Sequence, residues 1–108
     1  MVVRFVNSKF NTIIIPREYY DIVYDICIRY CFLYEKLTSD TKSNRLFLEC
    51  YHAMKFVENK LRKHDAEDKE LSYDQLYYLF FAIDTLCEYE DIAMNNEVKE
   101  LMSILSNT

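Results

Sequence analysis

From Tyr19 to Leu37 apolar residues recur at intervals of three and four. Ile22, Ile26, Tyr30, Leu33 and Leu37 form one stripe, widened by Tyr19, Val23, Cys27 and Tyr34. Asp21, Asp25 and Arg29 form the opposite stripe, and Asp25 stands one turn before Arg29, close enough to pair. This pattern predicts an amphipathic helix over 16–37. Pro16 suits its first turn, where the missing N–H costs nothing, and Glu18 favours the positive end of the helix dipole. The polar run from Thr38 to Asn44 reads as a connector of turn and cap residues. A second helix is expected over 44–64, with Phe47, Cys50, Met54, Val57 and Leu61 inward and Leu46 and Tyr51 beside them. Arg45, Glu49, Glu58 and Arg62 are placed as spaced pairs on its wet side, and Lys60, Arg62 and Lys63 in its last turn.

Asp65 to Glu70 reads as an acidic connector. Ser72 and Gln75 then make a capping box, each able to satisfy the other's orphan N–H. It opens a third helix over 72–94, with Leu76, Leu79, Phe80, Ile83, Leu86 and Cys87 facing the core. Asn95-Asn96 breaks the run and caps a short helix over 96–106, with Val98, Leu101, Met102 and Leu105 apolar. Before Pro16 the pattern changes: Val2–Val6 and Phe10–Ile15 are rich in β-branched and aromatic residues, with Asn7-Ser8-Lys9 at the turn. That predicts a hairpin over 1–15, with at most two short strands, both before Pro16. A lone hairpin is marginal in water and must lie on the helices or pair with another chain. The expected fold is mainly α: an antiparallel bundle of three long helices plus a short C-terminal helix, with a short N-terminal β-hairpin.

Composition sharpens this. The 108 residues contain no glycine and one proline, which disfavours a many-turned β fold. The length fits one domain, residues 1–108. Phosphate loops and dinucleotide fingerprints need glycine and are excluded. Arg4 and Lys9 interrupt the first apolar stretch, and no small-residue cleavage pattern follows, so no signal peptide is expected. The longest charge-free run of the helical part, Gln75 to Ile83, is less than half of the ~20 residues a membrane span requires. A cytoplasmic protein is the expectation, its four cysteines reduced.

Little chemistry is encoded. His52 and Cys50 fall on different sides of a helix, and His64 closes a basic run, so neither makes a local catalytic dyad. Cys27 and Cys31 share a face, but all four cysteines lie mid-helix rather than on knuckles. They read as core fillers. Asp84, Glu88 and Asp91 share a face without a histidine at matching spacing, which reads as solvated surface. No catalytic residue, metal or cofactor is expected.

Charge and aromatics remain. Residues 1–64 hold 11 Lys and Arg against 7 Asp and Glu; residues 65–108 hold 2 against 11. The molecule as a whole is at −5, which disfavours a phosphate backbone as partner. Part of the split is internal, with Lys55, Lys60, Arg62 and Lys63 folding beside Asp65, Glu67, Asp68, Glu70 and Asp74. Ten tyrosines and seven phenylalanines make 16% of the chain, a bias that AT-rich coding also produces. Tyr77-Tyr78-Leu79-Phe80-Phe81 nonetheless wraps aromatics around the third helix. Tyr78, seven residues before Thr85, is expected outward; Phe81 lies off the main stripe, as do Tyr20, Tyr24 and Phe32 on the first helix. The functional expectation is a non-enzymatic protein-binding module. Asp74, Tyr77, Tyr78, Phe81, Asp84, Glu88 and Asp91 would meet a basic surface on a protein partner. Size and charge suit an inhibitor of the counter-defence or immunity type, of phage, viral or bacterial origin. A homodimer, built on the hairpin edge and exposed aromatics, is the alternative; a small enzyme using Cys or paired carboxylates is a third.

Overall fold

In the computed structural model, residues 5–7, 12–63, 67–90 and 96–106 are described. Two short strands, β1 (Phe5–Asn7) and β2 (Thr12–Ile14), precede a 3-10 turn at Arg17–Tyr19. Then follow α1 (Tyr20–Lys36), a single helical turn α2 (Ser39–Lys42), α3 (Arg45–Arg62), a third strand β3 (Glu70–Ser72), α4 (Tyr73–Tyr89) and α5 (Asn96–Ser106). The mainly helical fold is as the periodicity predicts. The connector between the first two helices is partly ordered: Thr38 caps α2 by accepting from the Thr41 N–H, and Asn44 caps α3 by accepting from the Leu46 N–H.

The chain reverses direction at each long helix. Cys27 meets Met54, Cys31 meets Tyr51, and Tyr30 Oη donates to the Phe47 carbonyl at 2.9 Å, so α1 and α3 run antiparallel. Tyr78 meets Glu49 and Cys50 while Phe81 meets Phe47, so α3 and α4 are antiparallel too. Between them lie Val23, Ile26, Cys27, Tyr30, Met54, Val57, Leu79, Ala82 and Ile83, all buried, with Leu101 and Leu105 of α5 added to the same core. Burying each large side chain stabilises the fold by about 1.5–3 kcal/mol.

The sheet departs from expectation. A third strand lies after Pro16, so the order is β1-β2-β3, antiparallel throughout. Ile13 pairs with Leu71 and Thr12 with Ser72, and the register between β1 and β2 slips by one residue after Phe5. The acidic connector therefore ends in a strand. The hairpin offers an edge, and Ile13, Ile15 and Leu71, all fully buried, fill the space beneath it. The Ile15 N–H continues the pairing to the Lys69 carbonyl at 2.9 Å, and Thr12 Oγ1 donates to Glu70 Oε1 at 2.9 Å. The hairpin thus rests on the helices, one of the two placements open to it. Its turn, residues 8–11, lies outside the described residues.

Candidate functional site

The capping box forms as predicted. Ser72 Oγ accepts from the Gln75 N–H at 3.1 Å, and Gln75 Oε1 accepts from the Ser72 N–H at 2.9 Å. It fixes where α4 begins and hence which face turns outward. Tyr73, Asp74, Tyr77, Asp84 and Glu88 are all exposed along that face, and α4 contains no Lys, Arg or His. Tyr77 keeps 56% of its surface in solvent, its ring edge-on to Tyr78 at 5.3 Å. Asp91 lies outside the described residues.

Tyr78 and Phe81 go elsewhere. Tyr78 is half-buried against α3: its hydroxyl donates to Glu49 Oε1 at 2.8 Å, and its carbonyl accepts from Cys50 Sγ at 3.2 Å. Thr85, whose spacing suggested the outward stripe, is buried, and so is Ala82. Both are small enough for a helix to approach closely, and Thr85 satisfies its hydroxyl on the Phe81 carbonyl at 2.8 Å. Phe81 is half-buried, edge-on to Phe47 at 5.2 Å and to Tyr30 at 6.4 Å. Of the aromatics off the α1 stripe, Tyr20 accepts from the Lys69 N–H at 2.9 Å, and Tyr24 packs against the core. Phe32 alone is open, 60% exposed, with Lys36 Nζ 4.1 Å from its ring centroid.

Glu49 accepts from Arg45 Nε at 2.9 Å as well as from Tyr78. These two donors hold its carboxyl below the usual carboxylate range, Arg45 contributing most, while the bond to Glu49 pushes the Tyr78 phenol up. Glu58, placed by periodicity on the wet side, is instead buried, and Arg62 binds its carboxylate. α1 covers that side of α3, and a carboxylate so placed needs a cation.

The outward face of α3 was not anticipated as a unit. Arg45, Leu48, His52, Lys55, Phe56, Asn59 and Arg62 are its exposed residues, followed by exposed Lys63 at its C-cap, without a carboxylate among them. Phe56 is 56% exposed beside Lys60, whose Nζ is 5.2 Å from the ring. The signal was available in the repeat Leu48–His52–Phe56. It was masked by reading Glu49 and Glu58 as solvated partners for the cations.

A depression of about 350 Å³ lies between the end of α3 and the approach to β3, lined by Lys60, Lys63, Glu67, Asp68, Lys69 and Glu70. Its charges balance. Burial pulls the Lys60 ammonium below its ordinary range, its Nζ donating to the Glu70 carbonyl at 2.6 Å. Asp68 pairs with Arg17 rather than with the α3 lysines, at 2.9 Å. Asp65 and His64 lie outside the described residues.

Cys27, Cys31 and Cys50 are buried, and Cys87 is half-buried. Burial pushes the Cys31 thiol up to about 11 and that of Cys50 up to about 12, and raises Cys27 further. His52 is exposed on the outer side of α3, while Cys50 points inward. Among the described residues no group of three His, Cys, Asp or Glu side chains is arranged to hold a metal ion, and no helix is long and apolar enough to cross a membrane. Comparison with known proteins finds no matching family model, no matching curated protein and no matching solved structure.

Proposed function

We propose that this chain is a protein-binding module whose docking surface is the outward face of α4. The observation that carries the reading is the single sign of that face. Asp74, Asp84 and Glu88 stand exposed beside Tyr73 and Tyr77, on a helix with no cationic side chain. Tyrosines give large contact area at low entropic cost, and uncompensated carboxylates steer association with a cationic surface. Tyr78 and Phe81 support the face from beneath rather than touching the partner. The partner class that fits is a protein with a lysine- or arginine-lined groove, such as a nucleic-acid enzyme, which this small domain would block.

The test compares wild type with the double variant Asp84→Lys/Glu88→Lys and with Tyr77→Ala. A cytoplasmic protein captured by wild type from the source cell should be purified and titrated against all three. Each variant should bind at least tenfold more weakly, about 1.4 kcal/mol, with its melting temperature little changed. Undiminished binding by both variants would place the contact elsewhere.

A further inference from the structure

α1 and α3 lie side by side and antiparallel, and α4 packs against one side of the pair, where Phe81 meets both Tyr30 and Phe47. On the other side Ile28 and Phe32 of α1 and Leu48 of α3 stand exposed, three of the large apolar side chains that the fold leaves in solvent. Charge flanks them: Asp25 on α1, His52 and Lys55 on α3, all exposed. The two stripes match when one is read backwards. Asp25, Ile28 and Phe32 follow at intervals of three and four, and so do Lys55, His52 and Leu48. Laid antiparallel, they set Asp25 on Lys55, Ile28 on His52 and Phe32 on Leu48, with Asp21 on the Asn59 amide one turn further out. This alternation is the spacing by which two helices pack along a common seam. Lys55 makes no ion pair among the described residues; its Nζ lies 5.7 Å from the Tyr51 ring centroid. Arg29 donates to Oδ2 of Asp25 at 2.8 Å, which leaves Oδ1 for a second cation.

We propose that a second copy of this chain docks on this side, α1 of each molecule lying antiparallel to α3 of the other. A two-fold axis parallel to the helices forms both contacts at once. It carries α1 to the position that faces α3 and preserves the direction of every helix, so helices antiparallel within a copy are antiparallel across the seam. The same rotation preserves height along the axis, and this fixes the register. Within one copy Cys27 is level with Met54 and Cys31 with Tyr51. The seam pairs Ile28–His52 and Phe32–Leu48 fall within one or two residues of those levels, about 1.5–3 Å. The result is an up-down-up-down arrangement of four helices. Each copy offers two strips, each roughly 25 Å long and 10 Å wide, from 1.5 Å of rise over the 17 residues of α1 and the usual helix spacing. The four strips bury on the order of 1,000 Å², the lower end for specific association, so the dimer is weak. The exposed residues of α4 take no part in the seam, so the inference does not rest on the docking face proposed above.

The experiment is sedimentation equilibrium at about 100 μM protein in about 100 mM salt. Wild type should associate. Lys55→Glu alone and Asp25→Lys alone should each weaken self-association at least tenfold. Asp25→Lys brings the net charge of −5 closer to zero, which by itself favours association, so its loss points to the seam. Mixing the two variants restores one native pair and creates one reversed pair, and should restore association, as should combining both substitutions in one chain. Phe32→Ala should also weaken association. Lys99→Glu, an equal charge change on the exposed side of α5, should leave it as in wild type. Monomers throughout overturn the proposal. So do single substitutions without effect, a mixture that stays monomeric, or a control as damaging as Lys55→Glu. Thermal melts confirm that each variant is folded. Asp84→Lys/Glu88→Lys should still self-associate, so failure of the α4 face is distinguishable from failure of the seam; a monomeric double variant would move the self-contact onto α4 and overturn the proposal.

Discussion

Replacing Tyr30 separates the two things its side chain does. The ring is fully buried between the three long helices, 6.5 Å from Tyr34 and edge-on to Phe81. Its hydroxyl crosses from α1 to the Phe47 carbonyl of α3. Within α3 that carbonyl also accepts the ordinary helical bond from four residues on, so Tyr30→Phe leaves no orphaned acceptor. The loss is one net hydrogen bond, about 0.5–1.5 kcal/mol. Tyr30→Ala removes the ring as well and opens a cavity that the surrounding helices close only in part, costing about 3–5 kcal/mol. For a domain of this size each kcal/mol lowers the melting temperature by roughly 4–8 °C. The phenylalanine variant should therefore melt several degrees below wild type, and the alanine variant on the order of 15–30 °C below. Urea unfolding followed by circular dichroism measures both, with an unchanged denaturant slope confirming that the same transition is compared. A phenylalanine variant as unstable as the alanine variant would place the stability in the hydroxyl. An alanine variant within about 1 kcal/mol of wild type would deny that Tyr30 is central to the core.

The thiols should divide by burial: at pH 8 a disulfide reagent should label Cys87 first, because Cys31, held near 11, is thiolate only about one part in a thousand, and Cys27 and Cys50 react on unfolding. Stoichiometric rapid labelling of all four in the folded protein would contradict this. The Glu49–Tyr78 contact should give stability at two limbs of the pH range. Glu49 has a depressed folded pKa, so its contribution is present above the ordinary carboxylate value and is lost as pH falls through the depressed one. Tyr78 has a raised folded pKa, so its contribution is present below the ordinary phenol value and is lost as pH rises through the raised one. Tyr78→Phe should remove the alkaline limb and reduce the acid limb in part, the larger Arg45 share remaining, in a series of urea melts across pH; unchanged limbs would show the contact to be thermodynamically silent.

How far the fold was legible follows from the range of each signal. The capping box of α4, the ends of α5 and the inward stripes of α1 and α3 are local patterns that span several turns or a fixed offset, and they hold in the structure. β3 is three residues, Glu70-Leu71-Ser72, too short to show any period, and it exists because β2 offers an edge 58 residues earlier in the chain. Tyr78 and Phe81 were misplaced for a related reason. A helix's own periodicity locates its strongest apolar stripe, but not a second neighbour that packs beside it, as α3 does against Tyr78 and Phe81. Glu58 shows the converse: an (i, i+4) partner was visible, but its burial depended on α1 lying over it. For the candidate face, the four-residue spacing of Asp84 and Glu88 reads as one solvated face, and both are exposed in the structure, as are Asp74 and Tyr77. The cationic face of α3 required knowing which of its carboxylates were already engaged.

The most direct test of the α4 docking face is the affinity for a purified basic partner as salt rises from about 50 to about 500 mM, for wild type and Asp84→Lys/Glu88→Lys. Wild-type affinity should fall steeply with salt. The variant should start at least tenfold weaker and lose much of that dependence, with both proteins melting at similar temperatures. Binding that is indifferent to salt and untouched by the two reversals would show the acidic face of α4 to be solvated surface and nothing more.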